Sequence, residues 1–207
     1  MKIKKIIDLC KKSGTLCLYE GAAAQWISDG SAFYPLYDVP GFDENTLCRT
    51  FDITEKKQSK IRFGFDVYLP AAYCFDDHTE GEILCEQSPV SIGQGTSVLI
   101  ACRTTRGIMF LDRKYLVPLE NTAGRMPEIY ERTAENGQLY FAVKSGLILA
   151  AVVLPCDIIS TYFVGQLRAL YEQCCFALQN RSSDGDGAEQ QSMFGSGEGE
   201  PGAEEKV

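Results

Sequence analysis

Histidine and tryptophan are almost missing from this chain, which has one of each, His78 and Trp26. A single imidazole leaves His78 alone to serve any Ser-His-Asp or Cys-His arrangement. No serine or cysteine sits in a nucleophile elbow or a reactive-cysteine signature. Long apolar runs are absent too, and none approaches the roughly 20 residues that a membrane-crossing helix needs. Met1-Lys-Ile-Lys-Lys-Ile-Ile-Asp8 has basic residues but neither an extended apolar region nor a small-residue cleavage site. No signal peptide is read from it, and a cytoplasmic location without a membrane partner is expected. A phosphate loop is also lacking: Ser91-Ile-Gly93-Gln-Gly95-Thr-Ser97 has no Walker A lysine and no third glycine, so it reads as a turn. No cofactor is expected. Among nine cysteines there is no Cys-x-x-Cys pair, and most lie inside apolar runs. That fits reduced, buried thiols in a reducing compartment better than a disulfide framework.

What remains is ample for a core. The chain has 207 residues, 45% of them hydrophobic, which suits one domain or two small ones. Its net charge of −8 is unevenly spread. From Asn180 onward there are seven acids (Asp184, Asp186, Glu189, Glu198, Glu200, Glu204, Glu205) against Arg181 and Lys206, so this stretch holds −5 and the rest −3. The body is only mildly acidic, and bulk charge does not point to nucleic acid.

The clearest pattern runs from Glu135 to Leu178 and reads strand, turn, strand, helix. Tyr140, Phe141 and Val143 favour strand, Lys144-Ser145-Gly146 supplies a turn, and Leu147–Leu154 is apolar on both faces until Pro155. Ile159, Phe163, Leu167, Leu170 and Cys174 then recur at helical steps, with Asp157 as N-cap, which predicts a helix lying on the sheet. Near the start, Ile3, Ile6, Ile7 and Cys10 line one face of a short helix ended by Gly14. Strands are expected at 15–20, on both sides of Asp29-Gly30, at 47–53, and over 61–69, where the alternation predicts a half-buried antiparallel strand. Residues 71–96 read as irregular, with a short strand at Ile83-Leu84-Cys85. A hairpin is expected around Thr104–Gly107, continued by Tyr115–Pro118, and Pro127–Arg132 leads into the central hairpin. Gly30 to Pro40, Gly107 to Pro118 and Gly146 to Pro155 echo one another, as repeated β-units or as hairpins in general. The expected fold is α+β: mainly antiparallel sheet, a short N-terminal helix, a C-terminal helix packed on the sheet, and an acidic tail. One globular domain is expected over 1–180, with two β-units at about 1–96 and 97–180 as the repeat reading. A disordered segment is expected over 181–207, which is too polar and glycine-rich to bury a core.

Two clusters carry possible chemistry. Cys74, Asp76, Asp77 and His78 are all metal-ligand types, and a metal-dependent enzyme with a site around Asp76–Glu82 is one reading. The spacing matches no closed zinc pattern, and a polar surface loop is the expected alternative. Arg103, Arg106, Arg113 and Lys114, near Phe110 and Tyr115, form the best nucleic-acid candidate in the body, set against a solvated hairpin tip.

One stretch of the tail stands out. In Gln190-Gln191-Ser192-Met193-Phe194, two large apolar residues interrupt an acidic, glycine-rich segment that has nothing to bury them. Exposed apolar anchors in such a segment suit a partner's pocket. The string resembles the pentapeptide by which bacterial polymerases and repair proteins dock on the replication sliding clamp. Gln190, Met193 and Phe194 match its key positions, and Ser192 is acceptable. The resemblance implies a bacterial sliding clamp as partner, and a non-catalytic accessory protein of DNA replication or repair, encoded by a phage or mobile element. Tyr140–Pro155 and Trp26–Ser31 also resemble the strand–turn–strand unit of sliding clamps themselves. That resemblance implies, as the alternative reading, a clamp-like or DNA-contacting β module, although the terminal helix and the tail depart from the pattern.

Overall fold

The computed structural model describes residues 2–37, 39–120 and 127–184. The tail expected to be disordered lies outside the described residues beyond Asp184, and Gln190, Ser192, Met193 and Phe194 lie outside with it. The chain divides into two units, 1–158 and 159–207.

In the first unit, α1 (Ile3–Ser13) buries Ile6, Ile7 and Cys10 and ends at Gly14, whose φ of 74° is the left-handed conformation a C-cap uses. Three strands follow, β1 (Thr15–Glu20), β2 (Gln25–Ser28) and β3 (Ala32–Leu36), joined as an antiparallel meander. Asp29 shapes the β2–β3 turn by accepting from the Ser31 and Ala32 amides at 2.9 and 3.0 Å. The strand expected at 47–53 is instead a helix, α2 (Glu44–Thr50), followed by a single turn, α3 (Glu55–Gln58). The Asp43 carboxylate caps α2, accepting from the Thr46 amide at 2.6 Å, and this local bond outweighs the β-like composition that follows.

β4 (Arg62–Tyr68) is where expected, but it pairs parallel to β1 rather than antiparallel. The intervening α2 and α3 return the chain to the same end of the sheet, so β4 enters in the same direction as β1. β5 (Ile83–Leu84) is a short edge strand. The stretch read as irregular contains β6 (Glu86–Gln94), exposed on both faces, which pairs with β7 (Ser97–Thr104); β8 (Gly107–Asp112) completes a three-stranded antiparallel sheet. Residues 113–115 form a 3-10 turn rather than a continued strand. Finally β9 (Glu128–Thr133), β10 (Leu139–Ser145) and β11 (Ile148–Val153) form a second meander.

The two meanders join through β3 and β11, giving an eight-stranded sheet of order β4-β1-β2-β3-β11-β10-β9-β5. The β3–β11 pairing covers only Ala32 and Phe33, and so ends before Pro35, which has no N–H to offer. One face of this sheet packs with α1, β7 and β8 through Ile27, Phe141, Val143, Ile100 and Leu111. The other face carries Trp26, Phe33, Tyr140 and Val152, and the 69–75 segment lies over it with Leu69, Tyr73 and Phe75.

In the second unit α4 (Thr161–Asp184) is a 24-residue helix. Ser160 caps it rather than Asp157: the Phe163 amide donates to Ser160 Oγ at 3.2 Å. Leu167 and Leu170 of this helix are exposed. No helix among the described residues is long and apolar enough to cross a membrane.

Candidate functional site

Strands β9 and β10 place Arg132 and Lys144 on the same face of the sheet as Tyr140 and Ala142. Side chains two apart along a strand share a face, so Tyr140, Ala142 and Lys144 form one row. Arg132 lies opposite Tyr140 in the next strand. Both cations are buried, Arg132 at 2% exposure and Lys144 at 5%. An isolated buried charge is costly, so each must be paired and hydrogen-bonded.

Glu82 meets that demand. Its Oε2 accepts from Arg132 Nε at 2.9 Å and Nη2 at 2.7 Å, and its Oε1 accepts from Lys144 Nζ. Arg132 spends its remaining donors on backbone: the Cys74 carbonyl at 3.2 Å, the Asp76 carbonyl at 2.9 Å and the Asp77 carbonyl at 3.2 Å. All five guanidinium N–H groups are thus engaged. Lys144 Nζ also sits 4.7 Å from the Tyr130 ring centroid, within cation–π range. Burial works to raise the Glu82 carboxyl, but the hydrogen bonds from Lys144, Arg132 and His78 outweigh it and hold it at about 2. At neutral pH this carboxylate stays ionised and bonded, which suits a clasp and not a general acid.

The residues singled out as metal ligands belong to this loop, and the structure assigns them other tasks. The Asp77 carboxylate accepts from the Leu149 amide at 2.8 Å, tying the loop to β11. Cys74 Sγ is 3.5 Å from Asp76 Oδ2. His78 Nδ1 lies 3.1 Å from Glu82 Oε1 while its ring stays exposed. The Cys74 backbone brackets the Tyr140 hydroxyl. Among the described residues no group of three His, Cys, Asp or Glu side chains is placed to hold a metal ion. Cys74, Asp76, Asp77 and His78 are adjacent in sequence but do not converge on one point. Phe75 packs edge-on against Trp26 and Phe33 at 4.9 and 5.5 Å between centroids, so the loop also seals an aromatic face.

The basic cluster of the β7–β8 hairpin is split. Arg103 and Arg106 lie at the tip, and Arg113 and Lys114 follow β8 at its far end, about 20 Å away for a six-residue strand. Arg103 pairs with Glu86 at 2.9 Å, Arg113 with Glu120 at 3.9 Å and Lys114 with Asp112 at 3.1 Å. Arg106 donates to the Gly137 carbonyl at 2.7 Å. Phe110 and Tyr115, expected nearby as stacking surfaces, are buried. The four cations therefore form two exposed pairs rather than one patch.

All nine cysteines are free, and Cys10, Cys48, Cys85 and Cys102 are buried as their apolar neighbourhoods predict. Burial pushes Cys85 up to about 11, with Glu131 adding to it, and Cys102 up to about 12. Such thiols remain protonated and are poor nucleophiles. Glu131, also buried, is occupied by the backbone amide and hydroxyl of Thr105, which fasten the hairpin tip to β9.

Sequence reading missed the centre of this arrangement. Glu82 was visible as the last acid of a polar loop, but Arg132 looked like an ordinary strand charge. The signal was present in Lys144, which continues the buried row of Tyr140 and Ala142. A cation in that row demands a buried anion. Comparison with protein-family models, curated proteins and solved structures finds no match to this chain.

Proposed function

We propose that the chain is a non-catalytic accessory protein of DNA replication or repair, recruited to a bacterial sliding clamp by Gln190, Ser192, Met193 and Phe194 and encoded by a phage or mobile element. The observation that carries this reading is the pair of large apolar residues, Met193 and Phe194, three and four positions after Gln190 in an otherwise acidic and glycine-rich segment. The body supports it indirectly: Glu82, Arg132 and Lys144 are committed to holding a loop, and the buried thiols are held protonated. The test is retention of the purified full-length protein on immobilised clamp, compared with the Met193→Ala/Phe194→Ala variant. Wild type is retained and the variant is lost; equal retention of the two eliminates the reading.

A DNA-contacting role for Arg103, Arg106, Arg113 and Lys114 is the second reading. Their exposure favours it, and the carboxylates paired with three of them weigh against it. Phosphate contacts weaken steeply with salt. A duplex DNA affinity that is absent even at low salt removes this reading.

A further inference from the structure

We infer that β4 is a self-association edge, built to pair antiparallel with β4 of a second copy of this chain. β4 ends the eight-stranded sheet, and among the described residues it pairs with β1 alone. The Arg62 amide donates to the Gly14 carbonyl at 2.8 Å, and Gly64 stands opposite Cys17. Alternate residues of a strand bond to the same side. Arg62 and Gly64 thus bond inward, and Phe63 and Phe65 present their amides and carbonyls to the outside. Edges are commonly blunted by short length, proline or lysine. The opposite edge of the sheet, β5, has only two residues, and β6, at an edge of the smaller sheet, contains Pro89. β4 has seven residues and neither proline nor lysine. Its register against β1 shifts between Gly64 and Val67, a bulge of the kind that also blunts edges. A second copy must accommodate Phe65 and Asp66 there, which keeps the association weak.

The sequence of this edge selects the occupant. Ile61-Arg-Phe-Gly-Phe-Asp-Val67 has the same character read from either end about Gly64. When two copies lie antiparallel about that residue, Ile61 meets Val67, Arg62 meets Asp66 and Phe63 meets Phe65, on both sides of a two-fold axis. Apolar positions face apolar ones and each cation faces an anion, which are the cross-strand pairs that stabilise a sheet. Phe63 and Phe65 form the reciprocal hydrogen-bonded pairs. The two Gly64 residues form the close, non-hydrogen-bonded pair between them, with Cα atoms about 4.5 Å apart. A glycine in mid-strand suits such an approach by another backbone. Phe63 and Phe65 are half-buried and stacked at 5.6 Å between centroids, and a second copy extends that aromatic row. A strand of unrelated sequence loses the charge pairs at both ends.

The test is sedimentation equilibrium on the full-length chain. The expected result is a species of twice the 22.9 kDa chain mass, with a dissociation constant on the order of 10 µM, as a narrow contact gives. Arg62→Asp raises that constant at least about 10-fold, and so does Asp66→Arg, because two like-charge pairs replace two opposite ones. The double variant Arg62→Asp/Asp66→Arg returns to within about 3-fold of wild type, and so does an equimolar mixture of the two single variants, since both restore complementary pairs. If a single reversal does not fold, judged by circular dichroism, Arg62→Gln or Asp66→Asn takes its place and raises the constant about 3-fold. A wild-type chain still monomeric at about 500 µM overturns the inference. So does a dimer whose constant the reversals leave unchanged, and so does a double variant that stays as weak as the single ones.

Discussion

Arg132 and Arg103 sit on different sheets and put the same side chain to opposite use. Arg132 has its guanidinium wholly enclosed, all five donors engaged, and Glu82 as a shared anion with Lys144. Arg103 is 71% exposed at the side chain and meets one carboxylate, Glu86, itself equally exposed. The distances are similar, 2.7 and 2.9 Å. What differs is the surrounding medium. Water solvates Arg103 whether or not Glu86 is present, so the pair contributes little. The 74–82 loop supplies the partners of Arg132 in place of water, through Glu82 and three carbonyls, so loss of Arg132 or Glu82 strands a charge. An ion-pair distance alone does not distinguish a fastening from an ornament.

The sharpest way to break this comparison is Arg132→Ala. It leaves Glu82 with one cation and frees three loop carbonyls, and the expected loss is about 4 kcal/mol in urea unfolding. A loss under about 1 kcal/mol would show that water reaches the site. Glu82→Gln comes next, at about 3 kcal/mol, because two buried cations then share a neutral amide. It also has a pH signature. The Glu82 carboxyl is held at about 2, below its ordinary 4.5. A depressed carboxyl contributes fully above the unfolded value and is lost as pH falls through the folded one. Wild-type stability should therefore drop between about pH 4.5 and 2, and the Gln variant should lack that part of the drop. Urea midpoints of both proteins at several pH values measure it. Asp43→Ala removes the α2 cap and should lower the urea midpoint by less than Glu82→Gln does. Arg103→Ala should change stability by less than about 0.5 kcal/mol, within reach of a careful thermal comparison.

The same contrast explains what could be read in advance. α1, the Asp29-Gly30 turn, the β7–β8 hairpin and the β10–β11 hairpin were all legible, because each is specified by neighbours a few residues apart. α2 was mistaken for a strand, since Leu47 and Cys48 suit either element and the deciding residue, Asp43, stands before the run. β6 escaped notice because exposure on both faces gives it no alternation to see. The direction of β4 depends on where α2 and α3 return the chain, which no period within 61–69 records. The charged clasp was the least visible. Glu82 and Arg132 are fifty residues apart, and each taken singly resembles a surface charge.

The junction of β3 with β11 has a consequence for synthesis. Leu36 leaves the ribosome about 110 residues before Ile148 does. At about 5–20 residues per second, that interval is roughly 6 to 22 seconds. Through it, a strand that ends up with every residue enclosed must wait without its neighbour. The nascent chain thus exposes an adhesive border for as long as the second meander is unmade, and slowing translation downstream of residue 36 should increase its capture by chaperones.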